Sequence, residues 1–181
     1  SAATALPSLI RTLRASSDES KAAALAELAS IVNAVDGDDA VALCAFLRAS
    51  GCVGVLAAFL RHADRQEMAS MIIANLAAEA MDPSGANETR AILHTNGAFE
   101  ALVDNVMQGE DGSMALTYTL GALQNSSCDY AQAELMRQRQ GLSERLKSIV
   151  AAGGTSAPYA QGCLRNVKPT NMSPAGTVTA R

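Results

Sequence analysis

The residue types that most often carry catalytic or metal chemistry are sparse in this sequence and stand far apart. The two histidines, His62 and His94, have no cysteine or carboxylate at the spacing of a zinc ligand. The sequence holds no G-x-S-x-G, phosphate-binding loop or G-x-G-x-x-G motif. The residue pattern therefore predicts no catalytic residue, no metal site and no cofactor.

The four cysteines form no C-x-x-C pair, and each lies in an apolar or helical stretch. Disulfides or metal binding are the alternatives; we expect reduced thiols buried as small hydrophobic residues. Such thiols favour a reducing intracellular compartment, namely the cytoplasm, the nucleus or an organelle. The organelle is included because the chain begins at Ser1, as expected if a targeting segment has been removed. The four residues are Cys44, Cys52, Cys128 and Cys163.

Asparagine is the polar residue that recurs in a fixed pattern. An asparagine amide both donates and accepts hydrogen bonds, and a buried one needs partners. Three asparagines each stand two positions after an apolar residue, so the same apolar-x-Asn pattern recurs along the chain. The segments are Ile73-Ala74-Asn75-Leu76, Leu123-Gln124-Asn125-Ser126 and Leu164-Arg165-Asn166-Val167.

Apolar residues recur with a helical period along almost the whole chain. Leu6, Leu9, Ile10 and Leu13 fall at i, i+3, i+4 and i+7, the pattern of one helix face. Apolar residues make up 49% of the chain and aromatic ones 3%, and alanine, the best helix former, supplies much of the apolar share. We therefore predict an all-α protein. Its predicted N-caps include Asp38, Asp64, Asn87, Ser113 and Asp129. Five methionines fall at core spacing and are expected to pack internally: Met68, Met71, Met107, Met114 and Met136.

The predicted helices repeat along the chain. Gly51, Gly97 and Gly141 each open a helix, at spacings of roughly 46 and 44 residues, which lie in the range of helical repeats. Each glycine is followed by an apolar pair, a polar or glycine turn and a longer helix that carries the asparagine. A first copy lacks the glycine and has Glu27, within Leu25-Ala26-Glu27-Leu28, at the asparagine position.

The stretch Gly97 to Val103, Gly-Ala-Phe-Glu-Ala-Leu-Val, resembles the start of the second helix of an armadillo repeat, and the Leu-x-Asn element resembles its third helix. The segments 38–49, 87–95 and 129–139 fit the first helix. The resemblance implies a right-handed α-α superhelix, an armadillo-like solenoid, of about four repeats. It covers about residues 4–167, and we expect a repeat domain over 1–167 followed by an irregular C-terminal tail over 168–181.

In armadillo proteins that grip extended peptides, a ladder of third-helix asparagines lines a concave groove. The resemblance carries this role to Asn75, Asn125 and Asn166, with Gln124, Gln161 and Arg165 as polar neighbours. The alternative is that the amides hydrogen-bond the backbone between neighbouring repeats. Import adaptors of this fold place tryptophan one turn before the asparagine. Here those positions are Met71, Gly121 and Gly162 and the chain has no tryptophan, so recognition of basic localisation peptides is not expected.

The resemblance implies a non-catalytic protein-protein interaction module. Its partner, a protein or an extended peptide, would bind the concave third-helix surface or the solenoid ends. Apolar residues at the two ends suggest a structural or scaffold subunit of a larger assembly, and the free adaptor stays open: Leu6, Leu9, Ile10, Leu164 and Val167. The alternative function is an all-α enzyme or cofactor-carrying subunit, which a stoichiometric metal or chromophore in the purified protein would indicate.

Charge and hydropathy bound the partners further. The net charge is −4 and no basic run occurs, so nucleic acid is not an expected partner. No apolar run approaches the roughly 18 residues that span a bilayer, so no direct membrane span is expected.

Overall fold

The computed structural model describes residues 2–15 and 17–167, and every regular element in those ranges is an α-helix. The prediction of an all-α protein is confirmed. The predicted irregular tail, 168–181, lies outside the described residues. In chain order the helices are α1 (Ala2–Ala15), α2 (Asp18–Ala34), α3 (Gly37–Ala49), α4 (Cys52–Phe59), α5 (Gln66–Leu76), α6 (Ala86–Thr95), α7 (Ala98–Gln108), α8 (Met114–Ser126), α9 (Tyr130–Gln138), α10 (Leu142–Ala152) and α11 (Ala157–Val167).

Glycine in the left-handed region starts three of the helices. Gly51, Gly97 and Gly141 have φ of +72°, +69° and +80° and immediately precede α4, α7 and α10. A residue with a Cβ is strained there, so glycine permits the sharp change of direction between consecutive helices. The predicted glycine starts are confirmed.

The predicted N-caps are partly confirmed. Ser113 Oγ accepts the N–H of Leu116 at 3.1 Å, and Asp129 Oδ1 accepts the N–H of Gln132 at 2.9 Å. The other three predictions were wrong. α3 and α6 begin before Asp38 and Asn87, placing both in the first turn, and α5 begins two residues after Asp64. An acidic side chain in a first turn still favours the helix dipole, and the Asn87 amide oxygen accepts from Arg90 instead.

Eight of the eleven helices in residues 2–15 and 17–167 pack in two rows. We call α2, α5, α8 and α11 the first row, because each contacts the next in that order. The second row is α1, α4, α7 and α10, which also contact one another in sequence. Each first-row helix packs on the second-row helix before it. Outside the rows, α3 packs on α4, α6 packs on α4 and α7, and α9 packs on α10 and α11. The core is formed by the two rows together with these three helices. Its fully buried side chains include Leu13, Leu25, Leu28, Leu47, Leu56, Leu60, Ile72, Ile73, Leu76, Leu93, Leu102 and Leu116.

Hydrogen bonds between neighbouring helices fix the second row. Asn105 on α7 donates its amide to the Leu60 carbonyl at the end of α4, at 2.8 Å. Arg145 on α10 donates to the Val106 carbonyl of α7 at 3.2 Å. Arg61 donates to the carbonyl of Gly97 at 2.9 Å. The carbonyls of Leu60 and Val106 lie at the C-terminal ends of their helices, where carbonyls have no partner within the helix, so the bonds from Asn105 and Arg145 satisfy them and set the spacing of the row.

A buried ion pair anchors the loop between α5 and α6. Arg48 donates to the carboxylate of Asp82 at 2.5 Å, and Asp82 is completely buried. The other carboxylate oxygen accepts the N–H of Gly85 at 2.9 Å and the hydroxyl of Ser84 at 3.2 Å. Burial alone raises the pKa of Asp82, but the bonds from Arg48, Gly85 and Ser84 outweigh it, so the pKa lies below its ordinary value of 3.8.

Several surface expectations were wrong. Leu6, Leu9, Ile10 and Val167 are buried, because α2, α4, α8 and α9 pack around the end helices, so the apolar ends expected of a short array are largely covered. Cys128 is exposed just beyond the end of α8, while the other three cysteines are buried and free, as predicted. Met114 is 46% exposed because it opens α8, outside the packed part of the helix.

Within the described ranges no single helix is long and apolar enough to cross a bilayer. The helices α3 and α4 reach that length and composition only as a pair, and the pair is bent by 80°.

Candidate functional site

Each helix of the first row carries asparagine as its penultimate residue. We call these four residues, Asn33, Asn75, Asn125 and Asn166, the Asn row. The assignment of Glu27 to this position was wrong, because Asn33 hydrogen-bonds Asn75 while Glu27 is exposed and lies earlier in α2. The segment Ile31-Val32-Asn33 has the same apolar-x-Asn pattern at a helix end, so the signal was present in the sequence.

The amide nitrogens of the Asn row are engaged by neighbouring helices. Asn125 donates to the carbonyl of Ala74 on α5 at 2.8 Å, and Asn166 donates to the carbonyl of Gln124 on α8 at 2.9 Å. Asn75 donates to the amide oxygen of Asn33 at 3.1 Å. A carbonyl can only accept, so these contacts identify which end of each amide carries the N–H groups.

The amide oxygens of the Asn row are less used. No hydrogen bond reaches Oδ1 of Asn75, Asn125 or Asn166 from within residues 2–15 and 17–167. Bracing between helices therefore accounts for the donors of these side chains and leaves the acceptors available. The two roles weighed from the sequence, bracing and ligand binding, use different atoms of the same amide.

A buried arginine holds the end of α8 that carries Asn125. Arg90 on α6 is 5% exposed, and its Nε donates to the carbonyl of Asn125 at 2.8 Å and to that of Ala77 at 3.1 Å. Nη1 donates to Asn87 at 2.8 Å. One guanidinium thus joins the ends of α5 and α8, and so fixes the distance between two members of the Asn row.

An open cavity of about 410 Å³ lies on the exposed face of the first row, and we call it the groove. It brings Asn75 and Asn125 together, whereas Asn166, Gln161 and Arg165 do not line it. Its lining residues come from all four first-row helices and, in the case of Ala78, from the segment just after α5: Asn33, Met71, Ala74, Asn75, Ala78, Thr117, Tyr118, Gly121, Asn125 and Tyr159.

The remaining predicted site residues lie near the end of the row. The side chain of Gln124 lies over Gly162, in the space that a Cβ on that glycine would take. Gln161 is half-buried and Arg165 is exposed on α11. The side chain of Gln124 therefore packs against the next helix. The group of Gln124 that contacts the Asn row is its backbone carbonyl, which accepts from Asn166, and not its side-chain amide.

Two tyrosines of the groove were missed by the sequence analysis. Tyr118 precedes Asn125 and Tyr159 precedes Asn166 by seven residues, or two helical turns, which puts each pair on one helix face. Tyr159 is 43% exposed, and its ring lies over Gly121 of the neighbouring helix. An aromatic ring therefore does lie at the position one turn before Asn125, but it belongs to Tyr159 on α11. Inspecting the residue type at that position, Gly121, does not reveal it.

The groove is uncharged. No Asp, Glu, Lys, Arg or His is among the described residues that line it. Within the described part of the chain no cluster of three or more His, Cys, Asp or Glu could hold a metal ion. Burial raises the pKa of Cys44 and of Cys52 to about 11, which keeps these thiols protonated and weakly nucleophilic at neutral pH. The chemistry that this face offers is amide and hydroxyl hydrogen bonding beside aromatic and apolar contact.

The chain matches no protein-family model, and no curated protein matches it significantly. Its fold is similar to the crystal structure of an engineered protein from the Northeast Structural Genomics Consortium, with a TM-score of 0.68 and 22% sequence identity over 88% of this chain. This chain spans 60% of the length of that protein. At this identity the likeness concerns the helical fold alone.

Proposed function

We propose that this chain is an armadillo-like α-solenoid, a right-handed superhelix of about four repeats, and acts as a non-catalytic protein-protein interaction module. Two rows of successively packed helices and three glycine starts at nearly equal spacing support the repeat architecture. In this proposal the partner contributes an extended segment that lies along the groove and crosses α5 and α8.

The single observation that carries the proposal is the set of free Oδ1 atoms beside the groove. An extended peptide presents an N–H at every residue other than proline, and an N–H of the bound peptide needs an acceptor once water is removed. Asn75 and Asn125 offer such acceptors, and their own N–H groups are held by neighbouring helices at 3.1 and 2.8 Å. The orientation of each acceptor is therefore set before the ligand arrives, which lowers the entropy lost on binding.

Leu6, Leu9 and Ile10 on α1 are already buried within this chain, so a partner subunit is not needed to cover the α1 end of the solenoid. We therefore place the partner on the first row and favour the module as an adaptor that folds by itself. A purified chain that is soluble and monodisperse without a companion subunit is the expected result.

The test uses peptides selected from a phage-displayed library of random 12-residue sequences on the immobilised, full chain. We expect Asn125→Ala to weaken the selected peptides roughly 3- to 10-fold, because one hydrogen bond contributes about 1 kcal/mol. Fluorescence polarisation with labelled peptide measures the affinity, and urea unfolding measures the stability of each variant.

Asn105→Ala is the matched control. Asn105 also donates its amide to a carbonyl of a neighbouring helix at 2.8 Å, but it does so in the second row, away from the groove. Both variants should lose about 1 kcal/mol of unfolding free energy, and only Asn125→Ala should lose affinity. Equal affinities for the two variants would contradict the proposal, and so would a stoichiometric chromophore or metal in the purified protein.

A further inference from the structure

We propose that Asn96 is a site of spontaneous deamidation that the turn between α6 and α7 protects, so that the modification occurs when this turn opens. Asn96 and Gly97 form the one Asn-Gly pair in the sequence, and Asn96 is exposed to solvent. Asn-Gly is the pair most prone to this reaction, because glycine has no Cβ to hinder attack by its backbone nitrogen. The inference is independent of the proposed function, since neither residue lines the groove.

The reaction needs only water besides the two residues. The backbone nitrogen of Gly97 attacks Cγ of Asn96, a bond forms between these two atoms, and the bond from Cγ to Nδ2 breaks. The proton of the Gly97 N–H is transferred through water to Nδ2, which leaves as ammonia. Water then hydrolyses the resulting succinimide ring. Opening at the side-chain carbonyl restores the normal backbone and gives aspartate, whereas opening at the backbone carbonyl gives isoaspartate, in which the chain runs through Cβ and Cγ.

The backbone of the closed turn holds the reacting atoms apart. Ring closure needs the Gly97 nitrogen to lie beside Cβ of Asn96 about the Cα–C bond. At ψ of 12° for Asn96, that nitrogen is instead nearly eclipsed with the backbone nitrogen of Asn96. The N–H of Gly97 also donates to the carbonyl of His94 at 3.0 Å. Because Gly97 starts α7, a rotation of ψ that permits attack would redirect that helix.

The side chain of Asn96 is held as well, although it is exposed. Its Nδ2 donates to the carbonyl of Ile92 at 2.8 Å. Its amide lies over Gly54 of α4, where an added Cβ would be 3.1 Å from Oδ1 and 3.4 Å from Cγ. Arg61 donates to the carbonyl of Gly97 at 2.9 Å and so joins the turn to the end of α4. Exposure alone therefore does not permit the reaction, because the turn must first leave these contacts.

The product cannot rebuild the turn. A carboxylate at position 96 has no N–H to donate to the carbonyl of Ile92, and isoaspartate lengthens the backbone between α6 and α7 by one carbon atom. Since α6 packs on both α4 and α7, a longer connection disturbs the contact between the second-row helices. Each opening that ends in modification is therefore irreversible, and the modified chain unfolds at a lower temperature.

The experiment compares the full chain, folded and in urea, at the same mildly alkaline pH. Mass spectrometry of proteolytic peptides measures the conversion at position 96, which we expect to be roughly 10-fold or more slower in the folded chain. Gly54→Ala leaves the Asn-Gly pair unchanged but places a Cβ 3.1 Å from Oδ1 of Asn96. This variant should react faster than the unaltered chain when folded and at the same rate in urea. Gly121→Ala, the same substitution inside α8, is the matched control and should leave both rates unchanged.

Each part of the proposal has an outcome that overturns it. An absence of conversion at position 96 in urea would overturn the site, and equal rates in the folded chain and in urea would overturn the protection. Should Gly54→Ala not fold, this comparison on the unaltered chain still decides. A folded Gly54→Ala that reacts at the unaltered rate would refute the role of the contact with α4. Ion-exchange chromatography separates the modified chain, and a Tm equal to that of the unmodified chain would refute the loss of the turn.

Discussion

Replacing Gly121 or Gly85 by alanine adds the same methyl group to two buried sites, and we expect opposite effects on the free energy of unfolding. Gly121 lies inside α8, where the added Cβ meets Tyr159 and Ala74 at 3.6 and 3.7 Å. No atom has to move, and alanine restricts the unfolded chain more than glycine does. Gly121→Ala should therefore stabilise the protein by about 0.5–1 kcal/mol, or raise Tm by roughly 1–4 °C.

Gly85 precedes α6, and its added Cβ would overlap the guanidinium of Arg48 and the carboxylate of Asp82. Both groups belong to the buried ion pair that anchors the loop. If Arg48 withdraws, Asp82 keeps its hydrogen bonds from Gly85 and Ser84 but stays buried without its cation. Breaking such a pair costs about 3 kcal/mol at the low end, and we therefore expect Tm to fall by roughly 6–12 °C in Gly85→Ala.

Circular dichroism at 222 nm during heating, together with urea unfolding, measures both changes. Gly112→Ala is the control for backbone strain alone, because φ is +81° and no atom lies within 4 Å of its added Cβ. That variant should lose about 1–2 kcal/mol, which is less than Gly85→Ala loses. The reasoning is refuted if Gly121→Ala destabilises the protein, or if Gly85→Ala unfolds at the temperature of the unaltered chain.

Three further predictions concern the buried polar groups and the thiols. The pKa of Asp82 is lower in the folded state, so its stabilisation is present above its ordinary value of 3.8 and is lost as pH falls through the folded pKa; urea unfolding against pH should show the advantage of the unaltered chain over Asp82→Asn shrinking in acid. Arg90→Lys should lose about 3 kcal/mol in urea unfolding despite keeping the charge, because lysine has no counterpart of the Nε–H that the carbonyls of Ala77 and Asn125 share, and a loss below 1 kcal/mol would refute that role. Mass spectrometry after brief iodoacetamide treatment should find the label on exposed Cys128 alone in the folded chain and on all four cysteines in urea, and equal labelling in the folded chain would contradict the burial of the other three.

The helical fold was predictable because its signals are local. Apolar spacing within one helix, a serine or aspartate at its start and a glycine where φ becomes positive each act over a few residues, so the sequence alone predicted the all-α class, the glycine starts and the caps at Ser113 and Asp129. The errors at Asp38, Asp64 and Asn87 are local too. Several polar residues near those helix starts are suitable N-caps. Which of them caps the helix depends on competing side-chain interactions, such as the hydrogen bond that Asn87 accepts from Arg90.

The candidate site was predictable only in part, because it depends on which helices become neighbours. The sequence indicated Asn75, Asn125 and Asn166 as a recurring set, since their pattern repeats along the chain. It could not show that Asn125 donates to a carbonyl 51 residues away, and so it left bracing and ligand binding as equal alternatives. It also misplaced the first member of the row, because the choice between Glu27 and Asn33 rests on a contact across 42 residues.

The sequence by itself therefore determined the helices, the positions of their breaks and the recurrence of an amide at helix ends. The tertiary structure decided what surrounds those amides: the ring of Tyr159 over Gly121, the side chain of Gln124 over Gly162, and an uncharged groove that Tyr159 and Gly121 line. The physical reason is that the hydrogen bonds and apolar spacing of a helix depend on residues close together in the sequence. The space beside a glycine, in contrast, is filled or left open by a side chain from another helix.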